Sequence, residues 1–105
     1  MDDYVVTWNR NRVDWLYSLA RSKKLGAPAV RVGLLFGTFL QPDTRETVHP
    51  SYDWLCQNAY ISRGTLSKAL KELKSAGFLA VDTYHAEGSY YSMPFDGDAV
   101  WTPPK

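Results

Sequence analysis

The sequence has one cysteine, two histidines and a formal net charge of only +1. A single thiol, Cys56, cannot form an internal disulfide, so a reducing compartment is expected and with it a cytoplasmic location. The longest apolar stretch, VGLLFGTFL, is far shorter than the roughly 20 residues of a membrane-spanning helix. No membrane partner is therefore predicted. Because the overall charge gives no nucleic-acid signal, any argument for nucleic acid depends on where the charges lie along the chain.

Residues that commonly carry chemistry do not cluster in this sequence. His49 and His85 have no cysteine or carboxylate neighbours at ligand spacing, which argues against a zinc site. Cys56 is expected to be a buried structural thiol, not a nucleophile. The aspartates near the two chain ends do not form a catalytic pair. We therefore expect no enzyme activity, no metal or other cofactor and no small-molecule ligand.

The composition is sufficient for one small domain with a modest core. The chain has 105 residues, of which 45% are hydrophobic and 14% are aromatic. Near the amino terminus, YVVTW suggests a short strand or an ordered arm. A helix is predicted from Asn11 until Gly26. Its apolar stripe is formed by Val13, Leu16, Leu19 and Ala20.

Two aromatic residues of this first helix, Trp15 and Tyr17, lie off that stripe. An exposed aromatic side chain on an additional helix is typical of a protein contact, so a homodimer is expected.

Pro28 suits the first turn of a second helix that runs to about Leu40. Its apolar face is wide enough to be central to the core. The face consists of Ala29, Val32, Leu35, Phe36, Phe39 and Leu40. Gly33 and Gly37 lie one turn apart and permit another helix to approach closely.

The second half of the chain has strong local signals. After a polar loop, with a short strand suggested around 47–49, Ser51 is predicted to cap the short helix YDWLCQNA. A tight turn at Tyr60 and Ile61 leads to Ser62, which is expected to cap a helix that ends at a left-handed Gly77. The runs FLAVDTYH and SYYSMPF then predict a β-hairpin with Gly88 in its turn, followed by an irregular tail.

Two helices joined by a short turn, the second of which opens with small polar and basic residues, suggest a helix-turn-helix. The slim first turn of such a helix can approach base edges, and Arg63 can bind phosphate or guanine. Between Ser62 and Ala76, one arginine and three lysines outweigh Glu72, which gives a local charge of +3. Alone, this pattern is typical of any solvated basic helix. The preceding helix, the turn and the hairpin favour a recognition helix.

The segment PSYDWLCQNAYISRGTLSKALKELKSAGFL resembles the DNA-binding part of winged helix-turn-helix proteins. The resemblance is especially to the GntR-type regulators and to the amino-terminal domains of phage and plasmid replication proteins. The shared frame is Pro50-Ser51, Leu55, Cys56, Ile61-Ser62-Arg63, Thr65-Leu66, Ala69-Leu70, Glu72-Leu73 and Gly77-Phe78-Leu79. The run AEGSYY is similar to the wing of these proteins. The resemblance implies a mainly α fold with a small β-hairpin (α+β).

By this resemblance, DNA contacts are expected at both the helix and the wing tip. The expected residues are Ser62, Arg63, Gly64, Thr65, Ser67, Lys68, Lys71, Lys74, His85 and Ser89. The chain departs from the pattern at Tyr60, which replaces a turn glycine and implies another backbone geometry. It also departs at Ser67, which replaces a frequent basic residue, and at Glu87, a carboxylate in the predicted wing.

The sequence thus predicts an amino-terminal extension with a helix and a dimerisation element (1–27), a winged helix-turn-helix domain (28–95) and an irregular tail (96–105). The expected function is sequence-specific binding of double-stranded DNA by a small transcriptional regulator, with a phage, plasmid or other mobile element as a suggested source. Two alternatives stay open: a protein that binds a replication origin or partition site, and a winged helix used for protein–protein interaction.

Overall fold

A computed structural model describes residues 3–39, 50–85 and 88–103 of the protein. This part of the chain is mainly helical, as predicted. In chain order it forms α1 (Asp3–Arg21), α2 (Ala27–Phe39), α3 (Tyr52–Ala59), α4 (Arg63–Ser75), β1 (Ala80–His85) and β2 (Gly88–Ser92). Helix α2 contacts each of the other three helices. None of the helices in the described ranges has the length and apolarity that a membrane span requires.

Helix α1 differs from its prediction in both extent and orientation. It begins at Asp3 instead of Asn11, so the strand suggested for YVVTW is wrong. Its buried residues are Trp8, Asn11, Trp15 and Leu19, which follow one another at helical spacing. Val13 and Ala20, predicted to face the core, are exposed, and Leu16 is only partly buried. The expectation that Trp15 is exposed is also wrong, whereas Tyr17 is exposed.

The buried Asn11 explains why the stripe was misread, because a polar residue stands in the middle of the apolar face. Its amide nitrogen donates hydrogen bonds to the carbonyl oxygens of Asp96 and Ala99, at 2.7 and 2.8 Å. Its amide oxygen accepts a hydrogen bond from the Trp101 N–H at 2.9 Å. One side chain therefore satisfies three backbone groups of the carboxyl-terminal segment. That segment has no helix or strand over 93–103, yet it is fixed on α1.

Helix α2 packs closely on α1 at its two glycines, as the sequence predicts. A Cβ atom at Gly33 would lie 2.7 Å from both terminal methyl carbons of Leu19, which is itself fully buried. A Cβ atom at Gly37 would collide with Leu16 and lie 3.2 Å from the Trp15 ring. Side chains larger than hydrogen at these positions would therefore push the two helices apart. The core face of α2 includes Ala29, Val32 and Phe36, all buried.

The bounds predicted for α3 and α4 are confirmed. The Ser51 hydroxyl accepts a hydrogen bond from the Trp54 N–H at 3.0 Å and so caps α3. The Ser62 hydroxyl accepts from the Thr65 N–H at 3.2 Å and caps α4. Gly77 follows α4 in a left-handed conformation, with φ of 84°. These signals are local, and each acts within a few residues of the helix end that it determines.

The turn between α3 and α4 uses a backbone geometry that the sequence argued against. Tyr60 is left-handed, with φ of 58° and ψ of 46°, and its N–H donates to the carbonyl oxygen of Cys56. This is the conformation that glycine would adopt there, so the prediction of another geometry is wrong. The ring is 85% exposed, so core packing does not offset the local cost of this conformation.

The two strands form an antiparallel pair with Ala80 opposite Ser92 and His85 opposite Gly88. The register shifts between Asp82 and His85. Gly88, predicted in the turn, is the first residue of β2, and the residues that connect the strands lie outside the described ranges. The short strand suggested around 47–49 also lies outside them.

Replacing Asn11 with alanine should destabilise the protein by about 2–4 kcal/mol, because three backbone groups lose their partner in a buried place. The change should be measured by urea unfolding, with hydrogen exchange of the Trp101 amide as a local readout. The matched control is Asn58→Ala, which removes an exposed amide that bonds within its own helix. Equal losses of stability in both variants would contradict the role given to Asn11.

Replacing Tyr60 with glycine should stabilise the protein by about 1 kcal/mol, since glycine adopts the left-handed conformation without a Cβ penalty. Thermal unfolding measures the effect. Tyr60→Ala is the control: it removes the same ring but keeps the penalty, so no such gain is expected. A stabilised alanine variant would show that the exposed ring, not the backbone, is unfavourable.

Candidate nucleic-acid interface

Helix α4 is held in place by its apolar side, as the sequence predicts. Leu66 and Leu73 are fully buried, and Ala69 and Leu70 nearly so. At the other edge of the helix, the Glu72 carboxylate accepts a hydrogen bond from the Gly26 N–H at 2.9 Å, immediately before α2 begins. The exposed side of α4 is therefore presented at a fixed orientation relative to α2.

The opposite side of α4 carries positive charge and small residues. At 3.6 residues per turn, this exposed side covers about 140° of the helix. It contains Arg63, Gly64, Ser67, Lys68, Lys71 and Lys74. A Cβ atom at Gly64 would meet nothing within 4 Å, so the first turn is open to an approaching surface. Ser67 is half-buried, and the four cationic side chains are exposed.

The ammonium groups of the three lysines of this face have no hydrogen bond or ion pair with other residues in the part of the chain that the structure describes. Glu72, the one acidic residue of α4, lies at the edge of this face, where its carboxylate accepts the hydrogen bond from Gly26 and can offset only one of the four positive charges. The face of α4 therefore keeps a net positive charge. Such a surface is suited to several phosphates spaced along a backbone.

Ser62 and Thr65 act first as structural residues. In addition to accepting from the Thr65 N–H, the Ser62 hydroxyl donates to the Thr65 hydroxyl oxygen at 3.0 Å. The Ser62 carbonyl accepts from the Leu66 N–H at 2.9 Å. The N–H groups of Arg63 and Gly64 precede the first intrahelical bond and point out of the helix end. Together with the helix dipole, they favour an anion at this end.

Arg63 is paired with a residue that the sequence argument did not include. Its Nη2 donates to the Asp53 Oδ1 at 2.7 Å, and its guanidinium lies 5.9 Å from the centre of the Tyr52 ring. The hydrogen bond to Asp53, and then its charge, raise the pKa of Arg63 above its ordinary value. Both side chains are about 70% exposed (68% for Arg63 and 72% for Asp53), so the pair is accessible to a ligand. Asp53 lies in the first turn of α3, and the fold places it within reach of the Arg63 side chain at the start of α4.

Lys24, in the segment between α1 and α2, lies beside this surface. It lines a groove together with Lys68 and Lys71, closed by Glu72, Ser75 and Ala76. The position of Lys24 could not be predicted from the sequence, because it depends on how the segment between α1 and α2 packs against α4. The positive surface is thus wider than one helix.

The other residues considered for a chemical role are Cys56, the two histidines and the predicted wing residues. The Cys56 thiol is half-buried and packs against the core. Within the described ranges, no group of three His, Cys, Asp or Glu side chains could hold a metal ion. The backbone of His85 and Ser89 lies in the strand pair, but their side chains fall outside the description, as do His49 and Glu87 entirely.

The geometry of α3, the turn and α4 is the basis on which a function can be assigned. The known proteins add nothing to it: no family model matches the chain, and no curated protein and no solved structure gives a match.

Proposed function

We propose that this protein binds double-stranded DNA through a winged helix-turn-helix in which α4 is the recognition helix and enters the major groove. The observation that carries the proposal is the cationic face of α4, which a buried opposite face holds in a fixed orientation. A major groove admits one α-helix, and its base edges are read by side chains near the start of that helix. Arg63 and the open Gly64 occupy that position.

The cations divide into two roles by their place on α4. Arg63, in the first turn, has the planar donor geometry that recognises guanine, and it is the proposed base-reading residue. Lys68, Lys71 and Lys74 lie farther along, and Lys24 lies beside them; these are proposed phosphate contacts. Ser62, Thr65 and Ser67 complete the surface as small residues with hydroxyl groups.

The paired strands β1 and β2 follow α4 directly and serve as the proposed wing. His85 and Ser89, at the end of the pair where the chain reverses, are its proposed DNA contacts. In the sequence Glu87 stands between these two residues, and a carboxylate in the wing would be repelled by phosphate. We therefore propose that the wing contributes less to DNA binding than α4 does.

The proposed role is that of a small transcriptional regulator, which binds a two-fold site as a homodimer. A source in a phage, plasmid or other mobile element is suggested only by the family resemblance. A protein of a replication origin or partition site would protect several evenly spaced repeats in a footprint, whereas a regulator would protect one short palindrome. Selection of bound fragments from genomic DNA identifies which pattern applies.

Removing the cations of α4 should lower affinity in two different ways. Arg63→Ala should weaken binding to the selected sequence by about ten-fold or more and relax the base preference at one position. Lys68→Gln should weaken binding to all sequences alike and reduce the slope of log affinity against log salt concentration by about one. Fluorescence anisotropy with labelled duplexes over a salt series measures both effects.

Lys23→Gln is the matched control, because Lys23 is an exposed lysine that does not line the groove of Lys24, Lys68 and Lys71; it lines a second depression, which shares Lys24 and Ala76 with that groove. It should leave the salt slope close to that of the wild type. If neither α4 variant changes DNA binding, or if the wild type shows no salt-sensitive binding, the DNA proposal fails. The interaction-module alternative is then supported if Arg63→Ala abolishes binding to an acidic protein partner.

Asp53→Asn should raise affinity for random DNA and reduce discrimination for the selected sequence. The substitution removes a negative charge beside the phosphates, which favours all DNA, and releases the guanidinium of Arg63 from one fixed orientation. Stability should change little, because exposed ion pairs contribute little to folding. The measured quantity is the ratio of affinities for selected and random duplexes.

Asp98→Asn removes an exposed carboxylate from the carboxyl-terminal segment and serves as the charge-matched control. It should leave that ratio unchanged. If Asp53→Asn raises affinity for both duplexes equally, Asp53 acts only through its charge and does not orient Arg63.

A further inference from the structure

The outward face of α1 carries three exposed apolar side chains. Val6 is 47% exposed, Val13 57% and Tyr17 60%. At 3.6 residues per turn, they lie within about 40° of one another, which makes a continuous stripe along the helix. The core does not use this stripe, since α1 packs through Trp8, Asn11, Trp15 and Leu19.

A row of four charges of alternating sign runs beside the apolar stripe. It consists of Asp3, Arg10, Asp14 and Arg21, and these positions also lie within about 40° of one another. Residues 3 and 21 are equidistant from position 12, and so are residues 10 and 14. A two-fold axis at the level of position 12 would therefore place each charge opposite one of the other sign.

We propose that this face of α1 pairs with the same face of a second copy of the chain, with the two helices antiparallel about position 12. Arg10 then lies opposite the partner's Asp14, and Asp3 lies opposite the partner's Arg21. The inference specifies the partner surface of the proposed homodimer. It does not depend on DNA binding and would stand if that proposal failed.

The same two-fold axis, which follows from the charges alone, also brings the apolar side chains of the two helices to similar levels. At a rise of 1.5 Å per residue, Val13 and the partner's Val13 are offset along the axis by about 3 Å. Val6 and the partner's Tyr17 are offset by only about 1.5 Å. One register thus satisfies both the charge row and the apolar stripe, whereas a parallel pair would place the two charge rows on opposite sides of the interface, where they do not meet.

Tyr17 also holds the Arg21 side chain in position for its contact with the partner's Asp3. The Arg21 Nη1 donates to the Tyr17 hydroxyl at 2.7 Å, and the guanidinium lies 5.1 Å from the ring centre. The remaining guanidinium donors are available for a carboxylate. A single helix pair buries little surface compared with an obligate dimer, so we expect a dimer of moderate affinity that dissociates on dilution.

Charge exchange tests the pairing. Asp14→Arg and Arg10→Asp should each weaken self-association by at least about ten-fold, since each places like charges opposite one another. A mixture of the two single variants should associate, because one chain then has acidic and the other basic residues at both positions. The double variant Arg10→Asp/Asp14→Arg should dimerise like the wild type. Sedimentation equilibrium without DNA measures all four, and circular dichroism checks that each variant is folded.

Crosslinking tests the direction of the helices. In a chain with Cys56→Ser, the variant Val13→Cys should form an intermolecular disulfide on mild oxidation, because the two sites are close to the axis. Val6→Cys is the control, since antiparallel pairing separates its two copies by about 18 Å along the axis. A wild type that stays monomeric at high micromolar concentration overturns the proposal. So does a dimer that survives Asp14→Arg, or crosslinking at Val6 equal to that at Val13.

Discussion

The indole of Trp15 lies where α1, α2, the segment after α4 and the carboxyl-terminal segment meet. It is fully buried, its N–H donates to the Phe78 carbonyl at 3.1 Å, and its ring contacts Phe78 and Phe95. The space that it needs is provided by Gly37, where a Cβ atom would be too close to the ring. A large aromatic residue with a satisfied N–H can connect four segments that have no regular hydrogen bonding between them. The orientation of α1 on the rest of the fold depends on this contact.

The position of α4 follows from contacts of the same kind. Trp15 fixes the residues after α4, the Glu72 carboxylate joins the carboxyl-terminal part of α4 to the residue before α2, and Arg31 donates to the Ala59 carbonyl at the end of α3. The Gly26 N–H precedes α2, the Ala59 carbonyl is at the end of α3 and the Phe78 carbonyl follows α4. Such contacts hold the ends of the helices and oppose a rotation of α4 about its own axis. The cationic face is therefore exposed in one orientation.

Sequence reasoning succeeded where a signal acts over a few residues and failed where it depends on the rest of the fold. The caps Ser51 and Ser62 and the left-handed Gly77 determine α3 and α4 locally, and those bounds were confirmed. Helix α1 was misread because Asn11 interrupts its apolar stripe, and its partners are about 90 residues away in sequence. The contact of Asp53 with Arg63 depends on the geometry of the turn between α3 and α4, which local sequence signals do not specify. The conformation of Tyr60 shows that geometry can override residue preference in a short turn.

The near-neutral chain separates its charges into two surfaces of different character. The face of α4 has charges of one sign, so two copies of it repel each other, and its natural complement is a polyanion. The outward face of α1 alternates in sign and is complementary to itself only when the helices are antiparallel. Salt should therefore affect the two proposed interactions differently: DNA binding through α4 would release counterions at each phosphate contact, whereas pairing through α1 would depend on a few exposed ion pairs and an apolar stripe. A net charge of +1 conceals both properties, because it sums over the whole chain.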